Sequence, residues 1–136
     1  MSEKTINNVS KNLIKKVEQG RAKFSYQRVK SVVANENKTL RADYKSYLKR
    51  LPMLIKTNGL AATFSFILTK NSQAYEQIYK DCSEWIKNDP KGIFNLNNDD
   101  LMEYVLNLDS SGYRALTTEI LSFIKWMSRF AEGMID

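Results

Sequence analysis

Histidine is absent from this chain and cysteine occurs once. Without a His/Cys cluster no zinc site can be assembled, and the lone Cys82 cannot close an internal disulfide. Cys82 falls on the apolar face of its helix, so it reads as a small buried hydrophobe rather than a reactive thiol. Acid–base or nucleophilic catalysis needs a histidine, a paired carboxylate in a cleft, or a nucleophile beside a base, and no glycine-rich phosphate loop appears either. The run Asn97 to Asp100 reads as a helix cap, and Glu119 as an ion-pair partner on a helix surface rather than a general base. The expectation is a non-enzyme with no cofactor, no metal and no small-molecule substrate. Long apolar runs are also missing. The N-terminal "MSEKTINNVSKNLIKK" is polar where a signal peptide needs an apolar core, and "GLAATFSFIL" falls well short of the ~20 residues of a membrane span. These features lead us to expect a soluble cytoplasmic protein without a membrane partner.

What remains is 136 residues, 43% hydrophobic, with two prolines and five glycines. That suits one globular domain spanning 1–136, able to bury roughly two-thirds of the surface its unfolded chain exposes. Charge is divided unevenly. Residues 1–70 hold 15 Lys+Arg against 4 Asp+Glu, a net of +11, while residues 71–136 hold 6 against 11, a net of −5. Such a division fits either an uneven solvated surface or a molecule with two different partners.

Apolar spacing is helical nearly everywhere, which predicts an all-α, single-domain, compact helical bundle of about six helices. A first helix is expected from about Thr5 to Val33, with a seam of Ile6, Val9, Leu13 and Val17 and, after a phase shift near Gly20, Ala22, Tyr26, Val29 and Val33. A second carries Leu40, Tyr44, Tyr47, Leu48, Leu51, Leu54 and Ile55 inward and stops at Asn58-Gly59. Pro52 should kink or break it and open a new segment. Leu60 to Leu68, apolar nearly all round, reads as a short helix at the bundle's centre. Ser72 caps a helix with Tyr75, Ile78, Tyr79, Cys82, Trp85 and Ile86 inward. A shorter helix starts near Asp99 or Asp100, "DSSG" breaks it, and a last helix runs from about Tyr113 to Ala131, with Gly133 as its stop.

On a helical wheel Arg41, Lys45, Lys49 and Lys56 fall within roughly an 80° stripe of the second helix. Lys4, Lys11 and Lys15 stand opposite the seam of the first. Lysine ordinarily solubilises an exposed face. Yet Arg41, Lys45 and Lys49 are like charges four apart, a spacing that destabilises a helix unless an anion relieves it. Nucleic acid, a membrane surface or an acidic protein could accept such a stripe. The membrane is disfavoured because the helix's Leu and Tyr side is needed for the core. Sequence-specific DNA reading fails too: in "LPMLIKTNGLAATFSFILTK" the second helix offers Leu60, Ala61, Phe64 and Ile67 where base edges need polar side chains.

The stretch "YKSYLKRLPMLIKTNGL" (Tyr44 to Leu60), the closing "YRALTTEILSFIKWMSRFAEG" (Tyr113 to Gly133) and "GRAKFSYQRV" (Gly20 to Val29) together resemble the small α-helical subunit of the Cmr complex, the type III-B CRISPR effector. The resemblance rests on Lys49 to Pro52, Leu54, Ile55, Asn58-Gly59-Leu60, Tyr113, Arg114, Thr117, Glu119, Trp126 and Arg129 to Gly133, and is weak in the middle of the chain. It implies a non-catalytic helical protein in antiviral defence that stacks in several copies beside the backbone subunits holding the guide RNA. Its implied partners are those subunits, further copies of itself, and guide RNA and target RNA. Contact with the target strand or guide–target duplex would run through Lys45, Lys49, Arg50 and Lys56, with Arg41 and Arg21 behind them, and would not read bases. The alternative is a pure assembly scaffold whose cations meet proteins only.

Overall fold

The computed structural model describes residues 3–136, apart from the side chains of Glu3, Lys4 and Ile6. The places expected for Lys4 in the lysine row and Ile6 in the seam therefore lie outside the described residues. Among the described residues six helices follow in order: α1 Glu3–Val33, α2 Lys38–Asn58, α3 Leu60–Thr69, α4 Gln73–Lys87, α5 Leu101–Leu106 and α6 Ser110–Met134. There is no strand among them. The all-α bundle is the expected architecture.

The last helix is the spine. Its apolar residues recur at steps of three and four, so Leu116, Ile120, Phe123, Ile124, Met127 and Ala131 are all buried, with α1 and α2 packed along it. Each fully buried large side chain of this kind contributes about 1.5–3 kcal/mol. Phe123 also joins Phe24 of α1 and Trp85 of α4 in an aromatic cluster with ring centroids 5.4–5.9 Å apart. Helix α4 packs on α2, and α3 on α2, α4 and α5.

Local signals set the ends. Asn37, Ser72 and Asp109 cap α2, α4 and α6 by accepting the backbone N–H of Leu40, Tyr75 and Gly112 at 3.1, 3.4 and 2.6 Å. Gly59, at φ +90°, divides α2 from α3 in a conformation that L side chains avoid. Tyr113 of α6 then accepts the otherwise unpaired Ala61 N–H at 3.0 Å.

Five expectations need correcting. Helix α2 runs through Pro52 without a break, because the hydrogen bonds and buried residues on either side, Leu51 and Ile55, hold it to the core. "DSSG" opens α6 instead of ending α5, since Asp109 is a cap and Ser110 to Gly112 form the first turn. Gly133 lies inside α6, which stops at Met134. In α3 only one side is central: Leu60, Thr63, Phe64 and Ile67 are buried, whereas Phe66 and Leu68 are exposed.

The largest correction concerns α1. Among the described residues its N-terminal seam stands largely clear of the other helices, so Leu13 is 59% and Ile14 66% exposed, and Val9 is exposed as well. From Gly20 onward the helix is docked, but the inward face is Arg21, Phe24, Ser25, Arg28, Val29 and Val32 rather than one centred on Tyr26, which is exposed. Two buried carboxylates fix this phase.

Candidate nucleic-acid interface

Those carboxylates are Glu119 on α6 and Asp81 on α4, both essentially inaccessible to water. Arg21 grips Glu119 with two parallel hydrogen bonds, Nε to Oε2 at 2.7 Å and Nη2 to Oε1 at 2.9 Å. Trp85 Nε1 donates to Oε2 at 3.0 Å, and Lys91 Nζ donates to Oε1. Burial pushes this carboxyl up, but the donors from Arg21, Lys91 and Trp85 together outweigh burial and hold it down at about 2. Asp81 accepts from Tyr44 Oη at 2.7 Å, Gln77 Nε2 at 2.8 Å and Arg28 Nε at 3.0 Å. Here burial prevails over the same kind of donors, so Asp81 is raised, and the buried Tyr44 phenol is raised well above its usual range by desolvation and by Asp81. Glu119 is thus an ion-pair partner, as expected, though in the interior rather than on the surface.

Arg21, one of the six candidate cations, is therefore committed to the protein's own interior. The other five lie on α2. Arg41 donates to the Asn35 carbonyl in the α1–α2 turn. Lys45 donates to the Ile135 carbonyl at 2.9 Å, with Glu132 at 3.9 Å. Lys49 is 73% exposed and has Glu132 at 3.5 Å. So the first half of the stripe, which looks uncompensated along α2, meets an acid from the end of α6. The second half differs. Arg50 is exposed with its guanidinium 5.3 Å from the Tyr47 ring, and Lys56 is exposed with no ion pair among the described residues. The structure brings Lys49, Arg50 and Lys56 together on the α2 half that follows Leu48.

That half borders a groove toward α3, lined by Lys49, Arg50, Met53, Leu54, Phe66 and Tyr75. The sequence reading placed Phe66 at the bundle's centre and left Met53 unassigned. One signal was available: Met53 stands off the Leu51, Leu54, Ile55 seam, next to the lysine side. For Arg21 and Arg28 the signal was their spacing of seven, two turns apart on the face that also carries Phe24 and Ser25.

Cys82 is buried and its thiol is pushed far up by desolvation, so it remains protonated. No group of three or more acidic or cysteine side chains suited to a metal ion occurs among the described residues. No helix in the described residues is long and apolar enough to cross a membrane. Fold and surface together define a small helical bundle with one basic flank and a buried ionic interior.

The family model for CRISPR-associated protein (Cas_Cmr5) matches residues 17–134, and the chain belongs to that family, whose members are non-catalytic small subunits of type III-B CRISPR (Cmr) complexes. The chain is similar to the CRISPR system Cmr subunit Cmr5 of Thermus thermophilus, at 24% identity over 115 residues, covering 85% of this chain and 92% of that one. The crystal structure of a CRISPR-associated Cmr5 family protein from the same organism superposes with a TM-score of 0.73 at 24% identity, over 88% of this chain and 97% of the other. The family match begins at residue 17, close to where α1 starts to dock.

Proposed function

We propose that this subunit, stacked in several copies beside the guide-RNA-holding subunits, contacts the target RNA strand or the guide–target duplex through Lys49, Arg50 and Lys56, with Lys45 and Arg41 at the margin. The carrying observation is that Arg50 and Lys56, in the half of α2 that follows Leu48, are exposed with no ion pair among the described residues, while the 73% exposed Lys49 beside them has only Glu132 at 3.5 Å. Cations so placed match phosphates, and each phosphate they neutralise releases counterion. Arg21 takes no part, because removing it from Glu119 would strand a buried charge.

Salt-titrated binding to single-stranded RNA tests the reading. The Lys49→Ala, Lys56→Ala double variant should flatten the log–log salt slope by about 0.7 per lost contact. An unchanged slope rejects phosphate contact by these residues.

A second reading, a scaffold that touches proteins only, draws on the exposed apolar Val9, Leu13 and Ile14 of α1. Such a face needs a neighbour more than it needs a polyanion. In that case the double variant keeps its salt slope but loses its place in the reconstituted complex.

A further inference from the structure

The groove between α2 and α3 lies at the free end of the cationic row, and we infer that it takes one unpaired nucleobase, making the partner of this face single-stranded RNA rather than duplex. The inference rests on the phosphate-contact reading and names the ligand that such a strand would insert. The groove has a volume of about 420 Å³ and continues past Leu54 to Asn58 and Ala62. Its apolar wall is open to solvent: Met53 is 68% and Phe66 40% exposed.

Behind that wall the aromatic rings are fixed. Tyr47 and Tyr75 stack with centroids 3.9 Å apart and planes 4° from parallel, and Phe66 meets Tyr75 edge-on at 6.0 Å. Arg50 and Lys70 lie 5.3 and 4.6 Å from the centroids of Tyr47 and Phe66. The result is a supported aromatic surface with Lys49 and Arg50 lining the groove and Lys70 over the Phe66 ring, and no carboxylate lines it among the described residues. Asp43, which influences Tyr75, sits one turn before Tyr47 and does not line the groove.

Charge chooses the occupant. A strand of RNA supplies both halves of the match, a flat base for Phe66 and Met53 and phosphates for Lys49, Arg50 and Lys56. A duplex keeps its bases stacked inside and can satisfy only the rim. A protein segment would have to bring acids on both sides of a flat apolar side chain.

Fluorescence anisotropy on the full chain at low salt tests this with four probes: a labelled single-stranded oligoadenylate, an abasic strand of equal length, an RNA duplex, and an acidic amphipathic peptide. The intact strand should bind about tenfold tighter than the abasic one, the size of one base stack. Phe66→Ala should remove that tenfold difference while leaving the salt slope unchanged. Met53→Ser, at a position outside the core, should lower it without affecting the thermal midpoint, which separates base contact from misfolding. Equal affinity for intact and abasic strands, tighter binding of the duplex or of the peptide, or no binding of the single strand each overturn the inference. Equal affinities with a slope that still flattens in Lys49→Ala, Lys56→Ala sink the groove alone and leave the phosphate reading standing.

Discussion

The arginines of α1 and the lysines of α2 are alike in sequence, regularly spaced cations on long helices, yet they meet opposite surroundings. Arg21 and Arg28 reach inward to Glu119 and Asp81, two carboxylates sealed from water. Lys49 and Lys56 reach outward, where only Glu132 comes near the first of them. The difference lies in what the neighbouring helix presents. A buried carboxylate requires a partner, and the planar guanidinium suits it through paired, directional donors with a weaker hydration shell than an ammonium. Lysine's strongly hydrated ammonium stays outward along α2, while Lys91 alone joins Arg21 on the buried Glu119 among the described lysines.

The sharpest way to break the contrast is Glu119→Ala, which leaves Arg21 and Lys91 without their shared anion. A loss of about 3–5 kcal/mol in denaturant unfolding is expected, with the RNA salt slope of the folded fraction unchanged. A loss under about 1 kcal/mol would mean that the interior node is no stronger than a surface pair.

Acid should erode the same node. Glu119 is depressed from an ordinary 4.5 to about 2, so its contribution is complete above 4.5 and disappears as pH falls through about 2. The stability gap between the parent and Glu119→Gln should therefore narrow over that window in pH-dependent melts. Asp81, raised by burial, has the opposite sign, because its protonation stabilises the folded state as pH falls through its elevated value. It partly offsets the loss from Glu119.

The outward set should respond weakly. Lys49→Ala with Lys56→Ala is expected to shift unfolding free energy by no more than about 0.5 kcal/mol while changing the salt dependence of RNA binding. Smallest of all, Leu13→Ser in the undocked half of α1 should leave the thermal midpoint of the isolated chain within that same margin. A clear drop there would show that the seam is covered in solution.

Much of the helix inventory was legible because local signals are strong. Ser72 and Gly59 act within one turn, and the three-and-four spacing of α6 defines its buried face. The register of α1 was not legible. Its apolar residues favour a seam through Val9, Leu13 and Tyr26, whereas its docked face is chosen by Glu119, 98 residues away from Arg21. The same limit applied to the candidate interface. The lysine stripe could be read from α2 alone, but Glu132 beside Lys45 and Lys49 arrives from the other end of the chain.

By itself the sequence determined the helical class, the Ser72 cap, the Gly59 stop and the family resemblance, since periodicity and capping act over a few residues along one chain. Tertiary structure alone decided which cations are neutralised and which stay free. An ion's environment depends on what stands within a few ångströms in space, and in this bundle those neighbours come from helices remote in the chain.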